Sequence, residues 1–243
     1  MACYNALVLI VWIALGLGGG LQVNYLADVL PGTRRFAQPY WWPLNSKKVR
    51  KYFSARRVIL VQCFFLAAAL FINQRPPLNF SAFLFFILLI YFGLVTVIDI
   101  EHRVVMHPVS WAGALLLGGV GLWRHGFIPT LLGGLVAFGL MLALFFAGEW
   151  LGRLLARRRG EKWEETALGF GDVNLAGVIG LLMGWPVALA ALLLGIVAAG
   201  VFSFGYLVVM LLTRRYRALA TIPYAPFLCL GAVAMIVASI YPH

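Results

Sequence analysis

Apolar runs interrupted by charged or turn-rich stretches set the rhythm of this chain. They fall near residues 5–29, 58–73, 79–99, 108–123, 128–151, 168–185, 186–212 and 222–241. A helix needs about 20 apolar residues to cross a hydrocarbon core roughly 30 Å thick. The pattern therefore predicts an all-α, polytopic membrane protein with about eight transmembrane helices. The second run is short and bounded by Arg57 and Gln74, and only Gly184, Trp185 and Pro186 part the sixth from the seventh. Boundaries are thus open by several residues. The stretch from Ala6 to Leu21 has no basic region ahead of it and runs on into membrane-like sequence, so it reads as the first span rather than a signal peptide.

Composition agrees with this pattern: 63% of the 243 residues are hydrophobic and 11% are charged, where soluble domains carry about a quarter charged. A single membrane domain over 1–243 is expected, with a basic cytosolic loop at 31–57 and a second at 153–167. The net charge of +11 raises nucleic acid as a partner, but its distribution argues for the membrane instead. If the 31–57 loop is cytosolic, seventeen of the nineteen Lys and Arg residues fall inside, leaving only Arg75 and Arg124 outside. Loops rich in Lys and Arg resist translocation, so both termini are expected outside and no nucleic-acid partner is expected. Tyr40, Trp41 and Trp42, set between Pro39 and Pro43 in the basic loop, suit contact with lipid headgroups.

Cys3, Cys63 and Cys229 stand singly in apolar stretches, and the four histidines lack paired ligand spacing. Neither a disulfide framework nor a metal site is expected. The eight acidic residues can be weighed one by one. Glu161, Glu164 and Glu165 share a charged loop with arginines and read as solvated. Asp28 lies near the basic loop, and Glu149 precedes Arg153 by four residues, the spacing of a helical ion pair.

Asp99 and Asp172 differ from these because each stands at the edge of an apolar run, in Val95-Thr-Val-Ile-Asp99-Ile100 and Leu168-Gly-Phe-Gly-Asp172-Val173. A charged Asp costs about 2.5–3.5 kcal/mol at a helix centre in a membrane and less near the interface, so each asks for a partner or a task. In the topology above, Asp99 ends an inward-running span and Asp172 begins an outward-running one, which brings both to the same cytosolic depth. Two carboxyls held close in a poorly hydrated place share a proton. The ionised one can draw a proton from an attacking water while the protonated one donates to the scissile carbonyl and then to the leaving amine. Gly169 and Gly171 would admit an extended substrate backbone beside the helix start. The structural alternative is a helix N-terminal acid at Asp172 and a capping or snorkelling residue at Asp99.

Gly169-Phe170-Gly171-Asp172-Val-Asn-Leu175 and Asp99-Ile-Glu-His102-Arg103-Val-Val-Met-His-Pro108 resemble the two aspartate motifs of the prepilin peptidases, the GxGD class of intramembrane aspartic proteases. Ile222-Pro223-Tyr224-Ala225-Pro226-Phe227-Leu228 is similar to the opening of that family's last helix, and Gly18 to Pro31 is loosely similar to its glycine- and asparagine-containing start. The resemblance implies that Asp99 and Asp172 are the catalytic pair and that Pro223 and Pro226 shape the last helix and, with Gly169 and Gly171, bind the substrate. It implies as substrate a type IV prepilin- or pseudopilin-like protein, used in pilus assembly or type II secretion, whose basic leader is removed beside its hydrophobic helix. The site would then lie at the cytosolic face of the inner (plasma) membrane. Many members carry two CxxC pairs that bind zinc and also methylate the new amino terminus. The loop from Pro31 to Arg57 has no cysteine, so no zinc or other cofactor is expected and methyl transfer from S-adenosylmethionine is brought into question. Asn174 stands where lysine is frequent in the family.

Two readings of other classes keep the same fold. A small proton- or cation-coupled transporter would use the two acids as an ion site, although such sites usually lie near the midplane between repeats and no repeat is visible here. A non-catalytic assembly partner would not need both acids.

Overall fold

The computed structural model describes residues 2–33, 56–75, 81–159, 169–213 and 223–240. Most of both charged loops, with Glu161, Glu164, Glu165 and Ile222, lies outside the described residues. Eight helices occupy the described residues: α1 (Ala2–Thr33), α2 (Arg56–Gln74), α3 (Ala82–His102), α4 (His107–His125), α5 (Phe127–Arg159), α6 (Phe170–Met183), α7 (Val187–Leu212) and α8 (Ala225–Ile240). Each corresponds to one predicted apolar run. The chain is a polytopic membrane protein.

Length sorts these helices. Five contain a stretch long and apolar enough to cross a membrane: Ala6–Pro31, Arg56–Gln74, Ala82–His102, Phe127–Leu154 and Val187–Leu212. α6 has 14 residues, about 21 Å at 1.5 Å per residue, and α8 has 16. Both are apolar but shorter than the hydrocarbon is thick. α5 runs past its predicted end at 151 to Arg159 because a helix need not stop where the lipid does. Its charged extension carries the expected ion pair, with Arg153 Nη2 at 2.9 Å from Glu149 Oε2.

The chain divides into two compact units, residues 1–98 with 237–243, and residues 99–236. In the first, α1 lies against α2. Tyr25, Val29 and Val58 form a buried cluster there, and the rings of Trp12 and Phe65 each meet Phe86 edge to face. Asp28 accepts a 2.8 Å ion pair from Arg57, the structural partner its position near the basic loop called for. Cys63 is exposed and Cys229, in the other unit, is buried, both as free thiols.

In the second unit α5 and α6 approach backbone to backbone. A Cβ on Gly133 would stand 2.5 Å from the Gly180 carbonyl oxygen, and one on Gly180 would run into that of Gly133. Small residues let membrane helices close in this way and gain packing that lipid cannot supply. α6 ends at Gly184, whose φ of +65° is open to glycine without a side-chain penalty. The Trp185 N–H then donates to the Pro129 carbonyl at 2.8 Å, tying the α6–α7 turn to α5.

Candidate active site

α3 delivers Asp99 in its last turn. The helix closes there with a 2.8 Å bond from the Arg103 N–H to the Asp99 carbonyl, and Arg103 itself takes φ +53°, the left-handed position that ends many helices. The side chain of Asp99 is buried at 5% exposure. Its Oδ2 accepts a buried hydrogen bond from the main-chain N–H of Ala225 at 3.1 Å.

Asp172 stands in the first turn of α6 and is 7% exposed. Gly169 is the N-cap residue, with extended backbone at φ −74°, ψ 139° and no side-chain cap. Its carbonyl accepts the Asp172 N–H at 3.0 Å, and its own backbone is hydrogen-bonded to the Asp172 carboxyl. Gly171 is where α6 meets the α3–α4 connection, since a Cβ there would lie 2.7 Å from Val105 Cβ and 2.8 Å from its carbonyl oxygen. The glycines of this motif therefore serve close packing as well as room for a substrate. Asp172 Oδ1 is buried without a hydrogen-bond partner among the described residues.

The two carboxyls lie within electrostatic range of each other. The field of Asp172 also reaches the half-buried phenol of Tyr224, next in sequence to the Ala225 that binds Asp99. Tyr224 and Ala225 thus each interact with one of the two aspartates, and the chosen prolines flank them: Pro223 just ahead of α8 and Pro226 in its first turn, where a missing N–H does no harm. Sequence reasoning chose the prolines and passed over the residues between them. Their only signal was their place inside the Pro223–Pro226 motif. Among the described residues no group of three or more His, Cys, Asp or Glu side chains is placed to hold a metal ion.

A cleft of about 410 Å³ lies between α4, α5 and α6, lined by Ser110, Trp111, Phe138, Phe170 and Asn174 among others. It is not the acid site. Asp172 is two residues from both Phe170 and Asn174, about 200° around α6, which puts its carboxyl on the far side of that helix.

The sequence model of the type IV leader peptidase family matches residues 82–204, just over half of the chain. The chain belongs to this family. Two curated proteins named prepilin leader peptidase/N-methyltransferase, one from Aeromonas salmonicida strain A449 and one from Aeromonas salmonicida, are each 26% identical to it over 135 residues. Those residues make up 53% of this chain and 39% of each relative, so the chain spans about two fifths of the length of the curated relatives it matches. No solved structure matches it. The leader-peptidase match includes Asp99, Gly169, Gly171 and Asp172 but ends before Pro223 and Pro226. The α8 segment that meets Asp99 thus comes into the site through the fold rather than through the matched region.

Proposed function

We propose that this chain is an intramembrane aspartic endopeptidase that removes the basic leader from prepilin- or pseudopilin-like precursors at the cytosolic face of the plasma membrane. The observation that carries the reading is the meeting of two buried aspartates from different helices, within electrostatic range and with α8 against one of them. Charged groups this far into an apolar bundle are unfavourable without a task, and membership of the leader peptidase family supports peptide cleavage as that task.

In the reaction, one ionised aspartate takes a proton from water as the water oxygen bonds to the scissile carbonyl carbon. The protonated partner donates to the carbonyl oxygen. Collapse of the tetrahedral adduct breaks the C–N bond as the second carboxyl takes back the proton from one hydroxyl of the adduct, and the amine leaves with a proton returned from the first carboxyl, which restores one ionised and one protonated aspartate. Gly169 and Gly171 leave the α6 start free of side chains where a substrate strand would lie, and Pro223 and Pro226 fix the entry to α8. The proposal covers cleavage alone.

The test is cleavage of a peptide with a basic leader and a Gly-Phe junction by the purified chain. Asp99→Asn and Asp172→Asn are each expected to reduce kcat by about 10²- to 10⁴-fold. A folded variant of either kind that cleaves at the wild-type rate would defeat the assignment.

A further inference from the structure

The first N–H groups of a helix have no partner within it, and their disposition in α8 is unusually informative. The N–H groups of Phe227 and Leu228 both go to the Tyr224 carbonyl, at 3.1 and 3.4 Å. Pro226 has none. The remaining one, on Ala225, goes to Asp99 Oδ2. Ala225 is wholly buried, and a buried carboxylate oxygen gains more from such a donor than an exposed one, because water does not compete for it.

The position of that N–H is set by packing some distance away. α7 and α8 cross at two glycines: a Cβ on Gly195 would lie 2.9 Å from the Phe227 carbonyl oxygen and 3.0 Å from Leu228 Cα. A Cβ on Gly231 would run into the Ala191 carbonyl oxygen and lie 2.8 Å from the Gly195 N. The ring of Phe227 also packs on Phe202, centroids 5.2 Å apart. Main chain against main chain leaves α8 no room to slide along α7.

We propose that the main-chain N–H of Ala225 is a positioning group for the peptidase reaction: it fixes the rotation of the Asp99 carboxyl, and the Gly195–Gly231 crossing holds it in place. Without it the carboxyl is free to turn about its last torsion, a broad and roughly two-fold well. One oxygen would then no longer be reserved for the proton exchanged with water and Asp172. The inference rests on the peptidase reading and adds a residue whose side chain takes no part.

Two variants remove the N–H. Ala225→Pro keeps a backbone angle suited to a helix start, and replacement of Ala225 by lactic acid puts an ester oxygen in place of the N–H without added bulk. Ala225→Gly keeps the donor. With the leader peptide as substrate, the ester protein is expected to lose about ten- to a hundred-fold in kcat at unchanged KM, in keeping with a hydrogen bond to a charged group. A folded Ala225→Pro protein is expected to follow it, and Ala225→Gly to stay within about three-fold of wild type. An ester protein with wild-type kcat, beside an active wild type, overturns the positioning role while leaving the peptidase reading intact. A wild type that cleaves nothing sinks the peptidase reading and this one with it.

Discussion

Asn24 in α1 and Asp172 in α6 are both buried in apolar surroundings, at 0% and 7% exposure, yet their polar atoms are disposed in different ways. The amide of Asn24 directs its N–H groups to main-chain carbonyls, to Gly20 at 2.9 Å within its own helix and to Val58 of α2 at 3.5 Å. Gln62 of α2 returns the arrangement by donating to the Leu17 carbonyl at 2.9 Å. This polar group ties two helices together and holds no ionisable side chain that could exchange a proton. In the second unit two of the buried polar residues, beside Ser110 and Thr130, are acids: Asp99 accepts one main-chain N–H, and Asp172 keeps an oxygen without a partner among the described residues. Asn24 Oδ1 and Gln62 Oε1 are likewise buried without a hydrogen-bond partner among the described residues, so the difference lies not in how completely the groups are paired but in their chemistry: the amides donate across a helix crossing and carry no proton to exchange, whereas a carboxyl can take up and release one.

The sharpest way to break this contrast is to make the acid into an amide. Asp172→Asn should cost catalysis by the factor given above and cost the fold nothing. Thermal unfolding in detergent is expected to show unchanged or higher stability, by up to about 3 kcal/mol, since a carboxyl is the more expensive group to keep in an apolar site. A variant that unfolds several degrees earlier would mean that Asp172 is a structural acid and that the two regions are alike.

A smaller effect is expected from the opposite region. Asn24→Ala removes the donor to Gly20 and Val58 and should lower stability by about 1 kcal/mol, in the range measured for hydrogen bonds between membrane helices. The kcat per folded molecule should stay as it is. A loss of turnover at full stability would place Asn24 with the acids rather than with the fasteners.

How far the sequence foretold this arrangement differs between the same two regions. All eight apolar runs became helices because a membrane leaves the backbone few alternatives, and the ion pair of Glu149 with Arg153 followed from spacing alone. Asp99 and Asp172 stood out in the sequence as acids at the edges of apolar runs, and the structure buries both within electrostatic range of each other. The partner of Asp99 was not legible. A main-chain N–H looks the same at every residue, and what selects Ala225 is the register of α8 on α7, fixed by glycines about six and thirty residues away in the chain. The 410 Å³ cleft behind α6 was missed for a similar reason, because a void is a property of three helices together and of none of their sequences.

The smallest effect separates an interface contact from a buried one. Asp28 and Arg57 join α1 to α2 at 2.8 Å with side chains 34% and 20% exposed, in the same helix pair that Asn24 fastens. Partial exposure admits solvent screening, so Arg57→Ala should lower stability by no more than about 0.2–1 kcal/mol. Added salt should shrink the difference between variant and wild type, whereas the loss from Asn24→Ala should hardly respond to salt. Unfolding both variants at low and high salt therefore measures which of the two contacts is shielded from water. If the Arg57→Ala deficit were salt-independent and the larger of the two, the ion pair rather than the amide would be the principal fastener of α1 to α2.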